Sequence, residues 1–153
     1  MGDNIYPTPP ILGRFNRTAR LKSIPSGQII FYRNDLPTDA LIIKSGVIKL
    51  YDIDDNGNER ILQLVASPAV IPFSFFSNQL NPLQWFYASL TDCELYEISF
   101  SKLRSMMQKD DKLNDSLVAA LSENVHELLA RLSSLAKTHA EDKVVAVLKF
   151  LAV

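Results

Sequence analysis

The sequence predicts a mainly β domain with added helices: a double-stranded β-helix, or jelly-roll, barrel followed by one long dimerisation helix. From residue 24 to residue 98, short β-branched and aromatic runs alternate with turn residues, which is typical of small barrels and jelly rolls. Beyond residue 99 the apolar residues recur instead at helical spacing. The 153 residues suffice for one domain with a substantial core.

Residues 1–23 are predicted to form an N-terminal arm and a short helix. Prolines crowd the stretch from Tyr6 to Pro10, which should therefore be extended. Residues 11–21 suit a short helix whose apolar contacts are Phe15 and Leu21.

Residues 24–110 are predicted to form the barrel. Its strongest local signal is Asn56-Gly57, which lies between two strand-like runs and indicates a tight hairpin. A short helix over residues 101–108 follows the last strand. The strand-like runs comprise residues 28–32, 40–44, 47–53, 61–65, 85–88 and 94–98.

Residues 111–138 are predicted to form the dimerisation helix. Leu113, Leu117 and Leu129 widen its apolar face. The helix is expected to contact a partner on one side and its own barrel beside it; a core helix packed only once is the alternative. Its heptad seam has spacings of 3, 4, 3, 4 and 3 residues and consists of Val118, Leu121, Val125, Leu128, Leu132 and Leu135.

Residues 139–153 hold a last group of apolar residues at helical spacing, including Val144, Leu148 and Leu151. No cap, glycine or proline ends this pattern. We therefore expect the segment to be the truncated start of a further domain.

Charge and cysteine content limit the partners and the compartment. The 16 basic and 17 acidic residues leave a net charge of −1, whereas a domain that grips nucleic acid usually carries a basic excess. The single cysteine, Cys93, excludes an internal disulfide and suits a reducing cytoplasm. No apolar run reaches the roughly 18 to 20 residues that a membrane span needs, so no membrane partner is expected.

One stretch imitates a metal site. Asp52, Asp54, Asn56 and Gly57 have the spacing that opens a calcium loop, but Gln63 stands where the bidentate glutamate is required. A hairpin turn explains these residues better than calcium does.

Catalysis has no candidate residues, and we expect the chain not to be an enzyme. His126 and His139 both lie beyond the β region, where a metal-dependent barrel enzyme would need imidazoles. Cys93 lies in a strand-like run and is expected to be a small buried residue. No metal or cofactor is expected; haem held by Cys93 or a histidine is the alternative that stays open.

A barrel, a long helix and the opening of a further helical domain, in that order, resemble the Crp–Fnr family of bacterial transcription regulators. Residues 142–152 look like the first helix of the family's winged helix-turn-helix domain. The resemblance implies a homodimer whose DNA contacts lie in a C-terminal domain absent from this chain. The local markers are IPSGQII at 24–30, LIIKSGVIKL at 41–50, DNGNERIL at 55–62 and TDCELYEIS at 91–99.

Members of this family that bind cyclic nucleotides carry a phosphate cassette, with Gly-Glu on a short helix and Arg-Ser about eleven residues later. Here Pro72 and Phe73 stand at the first pair of positions, and Leu83 and Gln84 at the second. By the same resemblance, Leu128 and Leu129 fall near the positions that meet adenine.

Charge along the chain agrees with a degenerate cassette. Between Lys49 and Ser101 the one basic residue is Arg60, in the predicted hairpin. A buried phosphate without a counter-charge would cost several kcal/mol, so we expect cAMP and cGMP not to bind well. The iron–sulfur members need several cysteines, which excludes that subgroup.

Aromatic residues at the degenerate cassette predict a pocket for a small apolar effector. In the alternative, the same side chains fill the cavity and the domain serves only as a dimerisation platform. Ser74 and Gln84 are the polar groups placed to orient a ligand. The candidate lining residues are Phe73, Phe75, Phe76, Leu83 and Trp85.

The sequence therefore predicts the effector-sensing and dimerisation half of a Crp–Fnr-type transcription regulator that does not respond to cAMP. An effector would change how two long helices pack along the heptad seam and so reposition the DNA-binding domains. A stand-alone binding or dimerisation module of the same barrel fold, with no DNA role, is the alternative.

Overall fold

A computed structural model of the chain describes residues 10–77, 79–137 and 140–152. The chain divides into two compact units, residues 1–117 and residues 118–153. In chain order the elements are η1 (Pro10–Phe15), β1 (Arg20–Ile24), β2 (Ile29–Phe31), β3 (Asp39–Ser45), β4 (Val47–Ile53), β5 (Glu59–Ala66), β6 (Ala69–Ile71), η2 (Phe73–Phe76), β7 (Phe86–Ser89), β8 (Cys93–Ser99), α1 (Phe100–Lys109), α2 (Asp111–Leu135) and α3 (Ala140–Leu151), where η marks a 3-10 helix.

In the described residues, eight strands form two antiparallel four-stranded sheets, which confirms the predicted jelly-roll barrel. The first sheet has the order β1-β8-β3-β6 and the second the order β2-β7-β4-β5. Each sheet therefore joins strands that are distant in sequence, as a jelly roll requires. A long helix, α2, follows the barrel as predicted.

Two hydrophobic clusters hold the first unit together. The inter-sheet cluster takes side chains from both sheets, among them Ile48 of β4 and Leu95 of β8. The helix-side cluster joins β3, β6 and β8 to η1, η2, α1 and the start of α2, where Leu113 and Leu117 are buried. The first sheet is therefore covered on both faces, which explains the continuous buried run of β3 from Ala40 to Ile43.

The helix predicted over residues 11–21 is wrong in its second half. The 3-10 helix η1 ends at Phe15, and Arg20–Ile24 form strand β1, which pairs with β8 along its whole length. Leu21 lies opposite Tyr96 and is exposed rather than packed as an apolar contact. Four of the five residues of β1 are exposed, so no apolar alternation marks this strand in the sequence.

The hairpin predicted at Asn56-Gly57 connects β4 and β5. One carboxylate oxygen of Asp54 accepts hydrogen bonds from the backbone N–H groups of Asn56 (2.9 Å) and Asn58 (3.0 Å). Gly57 has a φ of 83°, in the left-handed region that favours glycine. These bonds explain the spacing that imitates a calcium loop.

A second turn depends on Gly46, between β3 and β4. Its φ is 91°, and a Cβ placed on it would lie 2.4 Å from the carbonyl oxygen of Asp92 and 2.6 Å from the Cys93 sulfur. Cys93 is buried, and burial raises the pKa of its thiol, so it is a packed side chain as predicted.

The three α-helices follow β8. The Ser99 side chain caps α1 by accepting a hydrogen bond from the N–H of Lys102 (3.3 Å). Asp110 separates α1 from α2, caps α2 through the N–H of Leu113 (3.1 Å) and forms an ion pair with Arg14 of η1. In the described part of the chain, no helix has the length and apolar character to cross a membrane.

Candidate functional site

The short helix η2 stands where the resemblance places the phosphate cassette. Pro72 precedes it in an extended conformation, and the N–H of Phe75 donates to the Pro72 carbonyl (3.0 Å). The first backbone N–H of η2, that of Phe73, donates to the Tyr87 hydroxyl (3.3 Å). This amide therefore already has a partner within the protein.

Tyr87 lies in the inward-facing row that crosses β5, β4 and β7. Within this row Leu50 pairs with Gln63 on one side and Tyr87 on the other, and all three residues are buried. Burial raises the pKa of Tyr87 to about 12, opposed in part by the hydrogen bond from Phe73. The aromatic ring of Tyr87 also meets that of Phe73 edge-on, with ring centroids 6.4 Å apart. Tyr87 and Gln63 were not predicted as pocket residues because nothing in a strand-like run shows which polar residue faces inward.

The structure divides the predicted pocket residues between the two hydrophobic clusters. Phe73 and Leu83 pack in the inter-sheet cluster, whereas Phe75 and Phe76 belong to the helix-side cluster. Trp85 is 39% exposed.

Both predicted polar residues, Ser74 and Gln84, accept hydrogen bonds at their backbone carbonyls. The carbonyl of Gln84 accepts a hydrogen bond from the Arg33 Nε (3.1 Å), and that of Ser74 accepts one from the N–H of Ser77 (3.0 Å). In the described structure, the predicted residues thus contribute to both clusters, and the pocket that they would share stays a prediction.

Arg104 of α1 is a third residue near η2 that was not predicted as a site residue. Its guanidinium donates to the carbonyls of Phe75 and Ser77, both at 2.9 Å, and lies 5.3 Å from the centre of the Phe75 ring. Arg104 lies beyond the stretch from Lys49 to Ser101 in which Arg60 is the one basic residue, and it contacts η2 only because α1 packs beside η2 in the fold. Arg104 holds the carbonyl end of η2, opposite to the end where Phe73 donates.

The other cations near the second sheet are paired with carboxylates. Arg33 and Arg60 both contact Asp52, and Lys49 contacts Glu59. Within the described ranges 10–77, 79–137 and 140–152, no group of three histidine, cysteine or acidic residues could hold a metal ion. His126 is exposed, and His139 lies outside the described residues.

The heptad seam lies on one face of α2 in the second unit. Five of its six residues are exposed, with Val118 at 51% and Leu132 and Leu135 at 54%, and Leu121 is half-buried. Four of the six residues one position before the seam are buried, namely Leu117, Ala120, Asn124 and Ser134, whereas Glu127 is exposed and Arg131 half-buried. Because neighbouring residues on a helix point about 100° apart, α2 has two separate stripes.

The family match decides the identity of the barrel. Residues 21–110 match the family described as the cyclic nucleotide-binding domain. The chain belongs to this family. The match begins at the second residue of β1 and ends at Asp110, so it covers α1 and all of the barrel except Arg20.

Curated relatives of this cyclic nucleotide-binding domain are bacterial regulators. The chain is 28% identical over 131 residues to the anaerobic regulatory protein of Aggregatibacter actinomycetemcomitans, covering 86% of the chain and 50% of the relative. It is also 28% identical over 131 residues to the fumarate and nitrate reduction regulatory protein of Yersinia pestis, covering 86% of the chain and 52% of the relative. The chain thus spans about half the length of the curated relatives it matches.

Solved structures share the fold of this cyclic nucleotide-binding domain. The regulator CLP of Xanthomonas campestris, described as responsive to c-di-GMP, superposes with a TM-score of 0.76 at 20% identity, covering 91% of this chain and 70% of that one. The catabolite activator protein of Thermus thermophilus gives a TM-score of 0.62 at 20% identity, covering 84% and 60%. The predicted resemblance to the Crp–Fnr regulators is confirmed.

Proposed function

We propose that this chain is the effector-sensing and dimerisation part of a Crp–Fnr-type transcription regulator in the cytoplasm. It forms a homodimer and contacts DNA through a further C-terminal domain. The single observation that carries the proposal is the exposed apolar heptad seam on α2, because such a row loses water contact only when a second helix covers it. The curated relatives, named as regulators and about twice as long as this chain, support a regulatory rather than an enzymatic role.

Replacing one seam residue tests the dimer. Leu128→Asp places a carboxylate in the centre of the helix–helix contact, and its twofold-related copy faces it from the partner. Burying this charge should weaken association by at least about 3 kcal/mol, a factor of more than about 100 in Kd. Sedimentation equilibrium should show a dimer for the unchanged chain and a monomer for the variant at micromolar concentration.

Ala130→Asp is the matched control for this experiment. Ala130 is exposed on α2 but lies away from the heptad seam, so the same added charge should leave the dimer intact. A Leu128→Asp variant that remains dimeric would show that the seam is not the interface. Monomer formation by both variants would show that added charge on α2, rather than its position, disrupts the assembly.

We also propose that cAMP is not the effector. The N–H of Phe73, at the position where the family binds phosphate, donates to Tyr87, and the two aromatic rings occupy the space beside it. The nearest cation of η2 described above, Arg104, is bound to carbonyls at the opposite end. A phosphate buried at Phe73 would therefore have to displace the Tyr87 hydroxyl, and among the described contacts of η2 it would find no counter-charge at that end, at a cost of several kcal/mol.

The same reasoning extends to cyclic dinucleotides. One structural neighbour is described as responsive to c-di-GMP, and that ligand carries two phosphates, so the desolvation cost rises. Titration calorimetry with cAMP and with c-di-GMP should give no heat of binding at micromolar concentration. A micromolar Kd for either ligand would overturn this part of the proposal.

An apolar or aromatic effector remains our proposal for the signal, and we propose no cofactor. Leu83 is buried in the inter-sheet cluster and the half-buried Phe73 packs against it, which supports a filled cavity on that side of η2. Phe75 and Phe76, on the helix side, are the predicted residues best placed to meet a ligand.

The stand-alone module is the second candidate, since the net charge of −1 gives this chain no basic surplus for DNA. The coding sequence downstream of the codon for Val153 separates the two candidates. A frame that continues with a basic helix-turn-helix supports the regulator, and a stop codon favours the module.

A further inference from the structure

We propose that the cavity between η2, α1 and the first turn of α2 binds an uncharged, planar aromatic molecule that carries an amide-like donor and acceptor. This inference rests on the proposed effector-sensing function and names the ligand class and its site. The cavity has a volume of about 420 Å³, within the range of roughly 300 to 1,000 Å³ that small-molecule sites occupy. Its lining residues are Phe75, Phe76, Arg104, Met107, Gln108, Asp111 and Asn114.

The inner walls of the cavity favour an aromatic ring. Phe75 and Phe76 meet edge-on with centroids 5.2 Å apart, and Phe100 supports Phe75 from behind at the same distance. Met107 faces the same space with a flexible thioether, which adapts to flat ligands and contacts ring edges favourably. A planar ring can therefore pack against Phe76 and Met107 without moving Phe75, which is buried.

The charges around the cavity favour a neutral ligand. One cation, Arg104, and one anion, Asp111, line it, so neither an anionic nor a cationic ligand finds a surplus of opposite charge. Arg104 is in addition fixed by its bonds to the carbonyls of Phe75 and Ser77. A phosphate or carboxylate would have to compete with these bonds and lie near Asp111.

Two side-chain amides supply the hydrogen bonds that would orient the ring. Gln108 of α1 and Asn114 of α2 both line the cavity, one exposed and the other half-buried. Each amide offers two N–H donors and one carbonyl acceptor, which complement an amide on the ligand. A ligand held this way touches η2, α1 and α2 together, on both sides of the helix break at Asp110.

Nicotinamide, an uncharged aromatic amide, is a suitable probe, and the test uses the full chain labelled with 15N. Titration to about 10 mM, a concentration suited to fragment-sized ligands, should produce saturable shifts in the backbone N–H signals of Phe76, Met107 and Asn114. Cyclohexanecarboxamide carries the same amide without an aromatic ring and should bind at least fivefold more weakly.

Variants locate the binding in this cavity. Phe76→Ala removes the ring wall, and Asn114→Ala removes a polar partner at a half-buried position where folding is less at risk; each should weaken nicotinamide binding at least fivefold. Trp85→Ala is the control, because Trp85 is an exposed aromatic residue outside the cavity, and it should leave the affinity unchanged. This pattern supports the proposal.

Three results would overturn the proposed site: no saturable shift with nicotinamide, equal binding of cyclohexanecarboxamide, or shifts centred on Leu83 and Trp85. These failures differ from failure of the proposed function. A protein that dimerises through the heptad seam and ignores cAMP, yet does not bind nicotinamide, lacks only this site. A protein that stays monomeric or binds cAMP contradicts the proposed function whatever the cavity binds.

Discussion

Tyr87→Phe tests whether the Tyr87 hydroxyl satisfies the backbone N–H of Phe73 at the start of η2. The substitution removes only the hydroxyl that accepts the Phe73 N–H at 3.3 Å, and it keeps the edge-on contacts of the ring with Phe31 and Phe73. Tyr87 is 3% exposed, so water does not readily replace the lost acceptor. Because the bond is long, we expect a loss of about 1 kcal/mol of unfolding free energy, near the middle of the range for a buried hydrogen bond. For a chain of 153 residues this corresponds to a fall in Tm of about 3 °C.

Urea unfolding followed by circular dichroism, together with a thermal scan, measures this change at pH 7. Tyr32→Phe is the matched control, because Tyr32 is 53% exposed and contacts the Phe86 ring only by its own ring. The control should change stability by less than about 0.5 kcal/mol. A Tyr87→Phe protein as stable as the control would show that the hydroxyl does not satisfy the Phe73 amide, and the argument against phosphate binding would lose its structural basis.

Alkaline pH provides an independent readout of the same residue. Folding raises the pKa of Tyr87 from 10.0 to about 12, so the unfolded chain loses this proton first. The contribution of the neutral Tyr87 hydroxyl to the free energy of unfolding is therefore complete below about pH 10. As the pH rises towards 12 this contribution is lost, by an amount on the order of 2 kcal/mol. The advantage of the unchanged chain over Tyr87→Phe, about 1 kcal/mol at pH 7, should therefore shrink over this interval and then change sign. A constant difference from pH 9 to 12 would refute the burial argument.

Three further predictions concern the turn, the η2 contact and an ion pair. Gly46→Ala should lower the free energy of unfolding, measured in urea, by at least about 3 kcal/mol, because its φ is 91° and the new Cβ would lie 2.4 Å from a backbone oxygen. In the control Gly13→Ala the new Cβ meets no atom within 4 Å, so the free energy of unfolding should change by less than about 1 kcal/mol. Arg104→Met should cost about 1 to 2 kcal/mol and speed hydrogen exchange in η2; unchanged exchange there would contradict the anchoring role. Burial raises the pKa of Glu97, but the opposing effect of Arg20 and Lys22 is larger, and the net pKa lies below 4.5. Glu97→Gln should therefore lower the free energy of unfolding by under about 1 kcal/mol above pH 5 and leave it unchanged near pH 2. A pH-independent loss would exclude the ion pair.

Local patterns in the sequence determined most of the elements. The Asn56-Gly57 hairpin, the strand at 47–53 and the change to helical period after Ser99 all depend on neighbours in the chain, and the structure has them within one or two residues. The same holds for the heptad seam, which needs only the helical repeat. Strands β1 and β6 were missed because each is specified by its partner strands: β1 is mostly exposed, and β6 has three residues.

What only the tertiary structure decided is the composition of the site. The predicted pocket grouped residues 73–76 with residues 83–85 because they flank one loop, yet Phe73 of η2 packs between the sheets, whereas Phe75 and Phe76 pack against the helices. Tyr87 and Arg104 reach η2 from β7 and α1, 14 and 29 residues away from the residues they bind. A sequence contains the residue types and the local repeats, but contacts between distant segments arise only when burial of apolar surface selects one packing of the sheets and helices.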